Sequence, residues 1–190
     1  MLDSFAHKPA SLGADLRALR KSRGMTLLQL SEKTGWSVGW ISQVERDISH
    51  PSVEDLKGLA KALEVPLALF FGQAQAVPEE EGFVVRADAR RQIGSRQAGL
   101  TEELLSPDLT DDFEVFQSTF APQARRDSFE QRATQEVGYL VSGRLRLWVG
   151  TRQFDLNPGD SFRIRGEAYR WENPQDVPAV VIWVIAPPVY

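Results

Sequence analysis

The 190-residue sequence has no cysteine and only two histidines, His7 and His50. The first absence excludes a disulfide framework and any thiolate metal site, and fits a reducing cytoplasm. The second leaves little imidazole for a transition-metal centre, which usually takes about three protein ligands. No apolar run approaches the roughly 20 residues that span a bilayer. The opening MLDSFAHKPAS has no apolar signal-peptide core, so a cytoplasmic location with no membrane partner is expected. Basic excess is also missing, since the net charge is −4. That deficit is uneven. Residues 1–72 carry nine Lys and Arg against eight Asp and Glu, whereas residues 73–190 carry thirteen against eighteen.

What the sequence does have is concentrated in Thr26–Arg46, TLLQLSEKTGWSVGWISQVER. Thr26 and Gln29 have the form of a capping box, in which each side chain satisfies a backbone N–H at a helix start. Leu27, Leu30 and Ser31 recur at helical spacing up to Thr34-Gly35, where glycine supplies a left-handed turn. Ser37 is placed to cap the next helix, with Ile41 and Val44 as its buried edge. The opposite face carries Val38, Gly39, Trp40, Ser42 and Gln43, mostly small or hydrogen-bonding. Such a helix suits a DNA major groove.

These residues resemble the helix-turn-helix of the lambda-repressor-like (Cro/C1, or Xre) regulators, over about Leu12 to Phe71. The resemblance implies base-reading positions at Val38, Gly39, Trp40 and Gln43. It implies phosphate contacts at Ser37, Ser42 and Arg46, with Thr26 also on the DNA-binding side. It further implies a structural ion pair between Arg20 and Glu45, tying the first helix to the recognition helix; the alternative is two solvated charges worth a fraction of a kcal/mol. A nearly neutral reading head binds DNA weakly as a monomer, so a homodimer on double-stranded operator DNA is expected.

In chain order, residues 1–11 are expected to be loose and residues 12–72 to form an all-α, five-helix bundle. Leu12, Leu16 and Leu19 mark an amphipathic first helix that ends at Gly24. Ser52 with Asp55 caps a helix buried through Val53, Leu56, Leu59, Ala60 and Leu63. Pro66 opens a last short helix, Leu67 to Phe71. Residues 73–82, QAQAVPEEEG, read as a linker.

From residue 83 to 190 the period becomes alternating. Phe83–Ala87, Phe113–Phe120, Val137–Val141, Arg144–Val149, Ser161–Ile164, Tyr169–Trp171 and Ala179–Ala186 are short, rich in aromatic and β-branched residues, and bounded by turn formers. This predicts an all-β sandwich or barrel. Gly143 and the Asn157-Pro158-Gly159-Asp160 segment mark tight turns. The Val180–Ile185 run is too apolar for an exposed strand and reads as core or dimer interface.

This half resembles the small-barrel (jelly-roll) cupins. Glu136–Gly143, EVGYLVSG, matches the end of the first cupin motif, and Asn157–Asn173 the second through Pro158, Gly159, Asp160 and Asn173. In metal-binding cupins these motifs carry three histidines and a glutamate. Here Glu130, Arg132 and Tyr169 stand at the histidine positions and only Glu136 remains, so no metal, cofactor or catalytic residue is expected. Tyr169 and Trp171 share a strand face, which in cupin register looks inward with Arg132 and Glu136. Those four residues either line a pocket for an amino acid, polyamine derivative or organic acid, or close a filled barrel as a salt bridge and core aromatics.

The expected function is a sequence-specific transcriptional regulator whose cupin-like barrel dimerises and senses a small organic molecule. The alternative is a metal-dependent cupin oxidoreductase that uses the helices for assembly. A ligand-blind architectural protein is a third reading.

Overall fold

The computed structural model describes residues 11–71, 79–93 and 99–189. Residues 1–10 of the expected loose N-terminus and 73–78 of the expected linker lie outside the described residues. Two compact units are formed, the first from the chain through Arg91 together with Ser106–Asp111, the second from Gln92–Leu105 and Asp112–Val189. No helix among the described residues is long and apolar enough to cross a membrane.

In the first unit, helix starts are set by short polar side chains. The Ser11 hydroxyl accepts the Ala14 N–H to open α1 (Leu12–Ser22). The Thr26/Gln29 capping box opens α2 (Leu27–Thr34), which stops at Gly35 with φ 78°. Ser37 caps α3 (Val38–Val44), and a Ser52/Asp55 capping box opens α4 (Val53–Leu63). Their apolar stripes meet in a core where Leu16, Leu19, Leu30, Ile41, Leu59, Leu63 and Leu69 are fully buried. Each contributes about 1.5–3 kcal/mol by leaving water. Gly13 lets α1 approach the end of α3, since a Cβ there would lie 2.4 Å from the Val44 carbonyl oxygen. Its N–H donates to the Asp47 carboxylate at 2.9 Å. Buried Asp15 accepts from the Arg91 guanidinium at 2.7 Å and from the Leu109 N–H at 3.0 Å.

Two expectations fail here. Four α-helices are found among the described residues, not five: Leu67–Phe70 is a 3₁₀ turn. The Leu69 N–H donates to the Pro66 carbonyl at 3.0 Å, an i→i+3 bond, and Phe71 is already extended, so the segment stays a single tight turn. The strand expected at Phe83–Ala87 is absent. The N–H groups of Phe83 and Val84 both donate to the Glu80 carbonyl at 2.9 Å, which curls the segment into a turn. Phe83 is left 75% exposed.

The second unit is all β. Its strands are β1 (Arg91–Ile93), β2 (Leu100–Leu104), β3 (Glu114–Phe120), β4 (Gln135–Ser142), β5 (Leu145–Val149), β6 (Arg152–Leu156), β7 (Ser161–Arg165), β8 (Tyr169–Glu172) and β9 (Ala179–Ala186). One sheet runs β1-β2-β3-β9-β4-β7 and the other β6-β5-β8. Burial alternates residue by residue along β3 and β9, which places Phe116, Phe120, Val181, Trp183 and Ile185 inside. Gly143, at φ 78°, turns β4 into β5, and a Cβ there would meet the Ala179 backbone at 2.6 Å.

The expected closed barrel is instead a pair of open sheets. β6 and β7 are edge strands of different sheets. The Asn157–Asp160 turn between them, with Gly159 at φ 93°, carries the chain across the gap, so the two strands do not hydrogen-bond to each other. β1, β2 and β6 were not expected from the sequence. Leu100-Thr-Glu-Glu-Leu104 and Arg152-Gln-Phe-Asp-Leu156 carry acidic residues that are depleted in strands, and neighbouring strands hold them there instead.

Candidate functional site

Thr26, Ser37, Val38, Gly39, Gln43 and Arg46 are exposed, while Trp40 and Ser42 are half-buried. The Thr26 hydroxyl accepts the Gln29 N–H at 3.1 Å, and the Ser37 hydroxyl the Trp40 N–H at 3.2 Å. Each hydroxyl hydrogen thus remains available to donate outward. A Cβ built on Gly39 would meet nothing within 4 Å, so this face of α3 is open. Arg46 donates to the Ser42 carbonyl at 3.1 Å.

Beneath this face lies a buried ion pair. Arg20 Nε donates to Glu45 Oε1 at 2.6 Å and Arg20 Nη2 to Oε2 at 2.9 Å, while Nη1 reaches the Met25 carbonyl at 2.7 Å. With Arg20 8% and Glu45 4% exposed, the solvated-charges alternative does not hold. Two residues join the site without a sequence signal of their own. Trp36 packs against Gly58 of α4, where a Cβ would come within 2.8 Å of its ring, and it lies 4.9 Å from the Trp40 ring. Ser49 donates its hydroxyl to Gln43 Oε1 at 2.9 Å.

In the β unit the four singled-out residues are only partly brought together. Arg132, Tyr169 and Trp171 line a cavity of about 40 Å³, little more than room for a water or two. Glu136 is 1% exposed but does not line it; its carboxylate accepts the Thr134 hydroxyl at 2.7 Å and the Trp183 indole N–H at 2.9 Å. The Arg132–Glu136 salt bridge of the filled-barrel alternative is replaced. Arg132 pairs with Glu130 at 2.6 Å, and Arg126 pairs with the other oxygen of the same carboxylate. Burial opposes the Arg132 charge, but Tyr169, Glu130 and Glu136 around it raise its pKa on balance. Burial also pushes the Tyr169 phenol well above the ordinary tyrosine range, with Arg132 only partly offsetting that, so the phenol stays neutral. Trp171 is packed edge-on to Phe120 at 4.6 Å. Glu130, Arg126 and Trp183 were missed as a group because Trp183 comes from β9 and nothing local joins it to the other two.

This donor set does not suit a transition metal. A guanidinium sits where a ligand would be needed, and both oxygens of Glu136 are engaged. Among the described residues no cluster of three or more His, Asp or Glu is placed to hold an ion.

A helix-turn-helix family profile matches residues 16–70 and a cupin-domain profile matches residues 116–185. The HTH-type transcriptional regulator SutR of Escherichia coli is 29% identical over 157 residues, which cover 82% of this chain and 83% of that one. Transcriptional regulator ClgR of Mycobacterium tuberculosis is 30% identical over 97 residues, 50% of this chain and 87% of its own. A solved helix-turn-helix transcriptional regulator from Vibrio cholerae aligns over 94% of this chain and 96% of its own, at 20% identity and a TM-score of 0.45.

Proposed function

Because the chain belongs to the Cro/C1-type helix-turn-helix transcriptional regulators that carry a cupin domain, we propose that it works as a dimer. In this reading two copies present α3 to successive major grooves of an operator, and the β unit answers to a small organic ligand. The observation that carries it is the open α3 face held over the Arg20–Glu45 pair. Val38, Gly39, Trp40 and Gln43 read bases, and Thr26, Ser37, Ser42 and Arg46 contact phosphate.

Dimerisation is supported by the outer face of the six-stranded sheet. Val137, Tyr139 and Val141 stand there at 47%, 49% and 46% exposure. Across the strand pairs, Val137 faces Val184 and Tyr139 faces Ile182, which continues the apolar band onto β9. A second copy covering that band would set two α3 helices for half-sites about 34 Å apart. The ligand reading is supported by the Arg126–Glu130–Arg132 cluster beside the neutral Tyr169 phenol, groups suited to a small organic acid or amino acid. The named relatives are transcriptional regulators, and no observation on this chain favours a metal-dependent oxidoreductase over that role.

Selection from random duplexes, followed by salt titration, tests the DNA assignment. Gln43→Ala should shift base preference by about 1–3 kcal/mol at one position of each half-site. Arg46→Ala should weaken binding to all sequences and reduce the salt slope by about 1. Equal losses on specific and random DNA for both variants would sink the assignment. Tyr139→Glu should give a monomer by light scattering, with specific DNA affinity falling accordingly. A Tyr139→Glu protein that remains a dimer places the interface elsewhere.

A further inference from the structure

We infer that the β unit binds a monocarboxylate with an apolar tail in the slot between the edge strands β6 and β7. This rests on the sensor reading above but moves the ligand to a different place. The slot holds a cavity of about 500 Å³, against about 40 Å³ beside Arg132 and Tyr169. The larger volume falls in the range of roughly 300–1,000 Å³ that small-molecule sites occupy.

Strand register defines its walls. Leu147 pairs with Phe154 and Val149 with Arg152, so Phe154 and Arg152 leave β6 on the same side as Leu147, toward the space between the sheets. Leu147 is fully buried there, whereas Phe154 is 44% exposed. An aromatic ring on a core-facing side, half open to water, is a wall without its filling. The facing wall is Phe162. It stands over Gly138, where a Cβ would fall 2.1 Å from its ring, and it meets Trp183 edge-on at 5.0 Å. That wall is fixed from behind.

Charge selects the head group. Arg152 and Arg163 border the cavity with Glu167. The Glu167 carboxylate accepts the Arg165 N–H, and that bond, with the nearby Arg163 and Arg165 charges, holds its pKa below the usual range. Two guanidiniums against one ionised carboxylate leave a single positive charge at the mouth. A planar guanidinium fits a carboxylate through paired hydrogen bonds, and Leu147, Phe154 and Phe162 accept the tail.

Calorimetric titration of the full-length protein with octanoate tests this, with 1-octanol as the uncharged control. Octanoate should bind, and octanol should bind about tenfold more weakly, the loss of one charge-assisted contact. Arg152→Gln/Arg163→Gln should weaken octanoate about 100-fold while leaving octanol unchanged. Phe154→Ala should weaken both, and Arg132→Gln neither. Circular dichroism establishes that each variant is folded. Equal binding of octanoate to the double variant, loss in Arg132→Gln, or absence of binding to the wild type overturns the proposal. The sensor reading is judged separately, by operator affinity with and without ligand. Octanoate bound at the slot without any change in operator affinity upholds the site and removes it from the switch. An amino acid that changes operator affinity while octanoate fails to bind upholds the sensor and removes this site.

Discussion

The two units use buried charge in opposite ways. In the helical unit, Arg20 and Glu45 are 25 positions apart and form a bidentate pair under the exposed α3 face. In the β unit, Glu130 is shared between Arg126 and Arg132, while the Glu136 carboxylate accepts from an indole and a hydroxyl. The first arrangement fixes a surface, because the pair and the Met25 carbonyl engage the Arg20 guanidinium within the unit. The second splits one carboxylate between two guanidiniums at the wall of a small cavity that Glu102 also lines. The first is a fixed support beneath a surface, and the second is a shared contact that lines a small cavity.

This contrast can be broken first at the ion pair. Glu45→Ala strands the Arg20 guanidinium in the core, and the helical unit should lose about 3–5 kcal/mol, read from hydrogen exchange of the α1 and α3 amides. Arg20→Met/Glu45→Leu should recover most of that, because no unpaired charge is left behind. A loss of only a few tenths of a kcal/mol in the single variant would reduce the pair to a surface contact.

In the β unit the comparable weak point is a glycine. Gly138→Ala would drive a methyl group into the Phe162 ring, 2.1 Å away, and overpacking of this kind costs about 1–3 kcal/mol. Thermal melts should show the loss in the β unit, and Phe162→Leu should partly rescue it. Were Gly138→Ala neutral, Phe162 would not be the fixed wall described above.

The smallest expected effect sharpens the contrast through local structure alone. Thr26→Ala removes one arm of the α2 capping box and should cost about 1 kcal/mol, with no change in the β unit. Urea titration followed at the two units separately would show it.

How much was legible follows the range of each interaction. Thr26/Gln29, Ser52/Asp55, Gly35 and Ser37 act within four residues of themselves, so helix starts and stops were readable one after another. The strands at Glu114–Phe120 and Ala179–Ala186 announced themselves by their composition. Phe83–Ala87 offered the same composition and failed, since a strand needs a neighbour and the Glu80 carbonyl took the N–H groups first. Leu67–Phe70 had the apolar residues of a helix but not the length after Pro66.

By itself the sequence determined the caps of α2 and α3 and the turn between them. The pairing of Arg20 with Glu45 came only from the family resemblance, and the fold decided it against two solvated charges. The sequence also carries no histidines at the cupin motif positions. Only the tertiary structure decided what replaces them. Trp183 lies 47 positions from the Glu136 to which it donates, and the register of β4 on β9 brings them together. Likewise, which cavity is filled and which is open depends on two edge strands that do not pair. A cap is fixed by neighbours along the chain. A cavity is fixed by what packing leaves over, and no short stretch of residues contains that information.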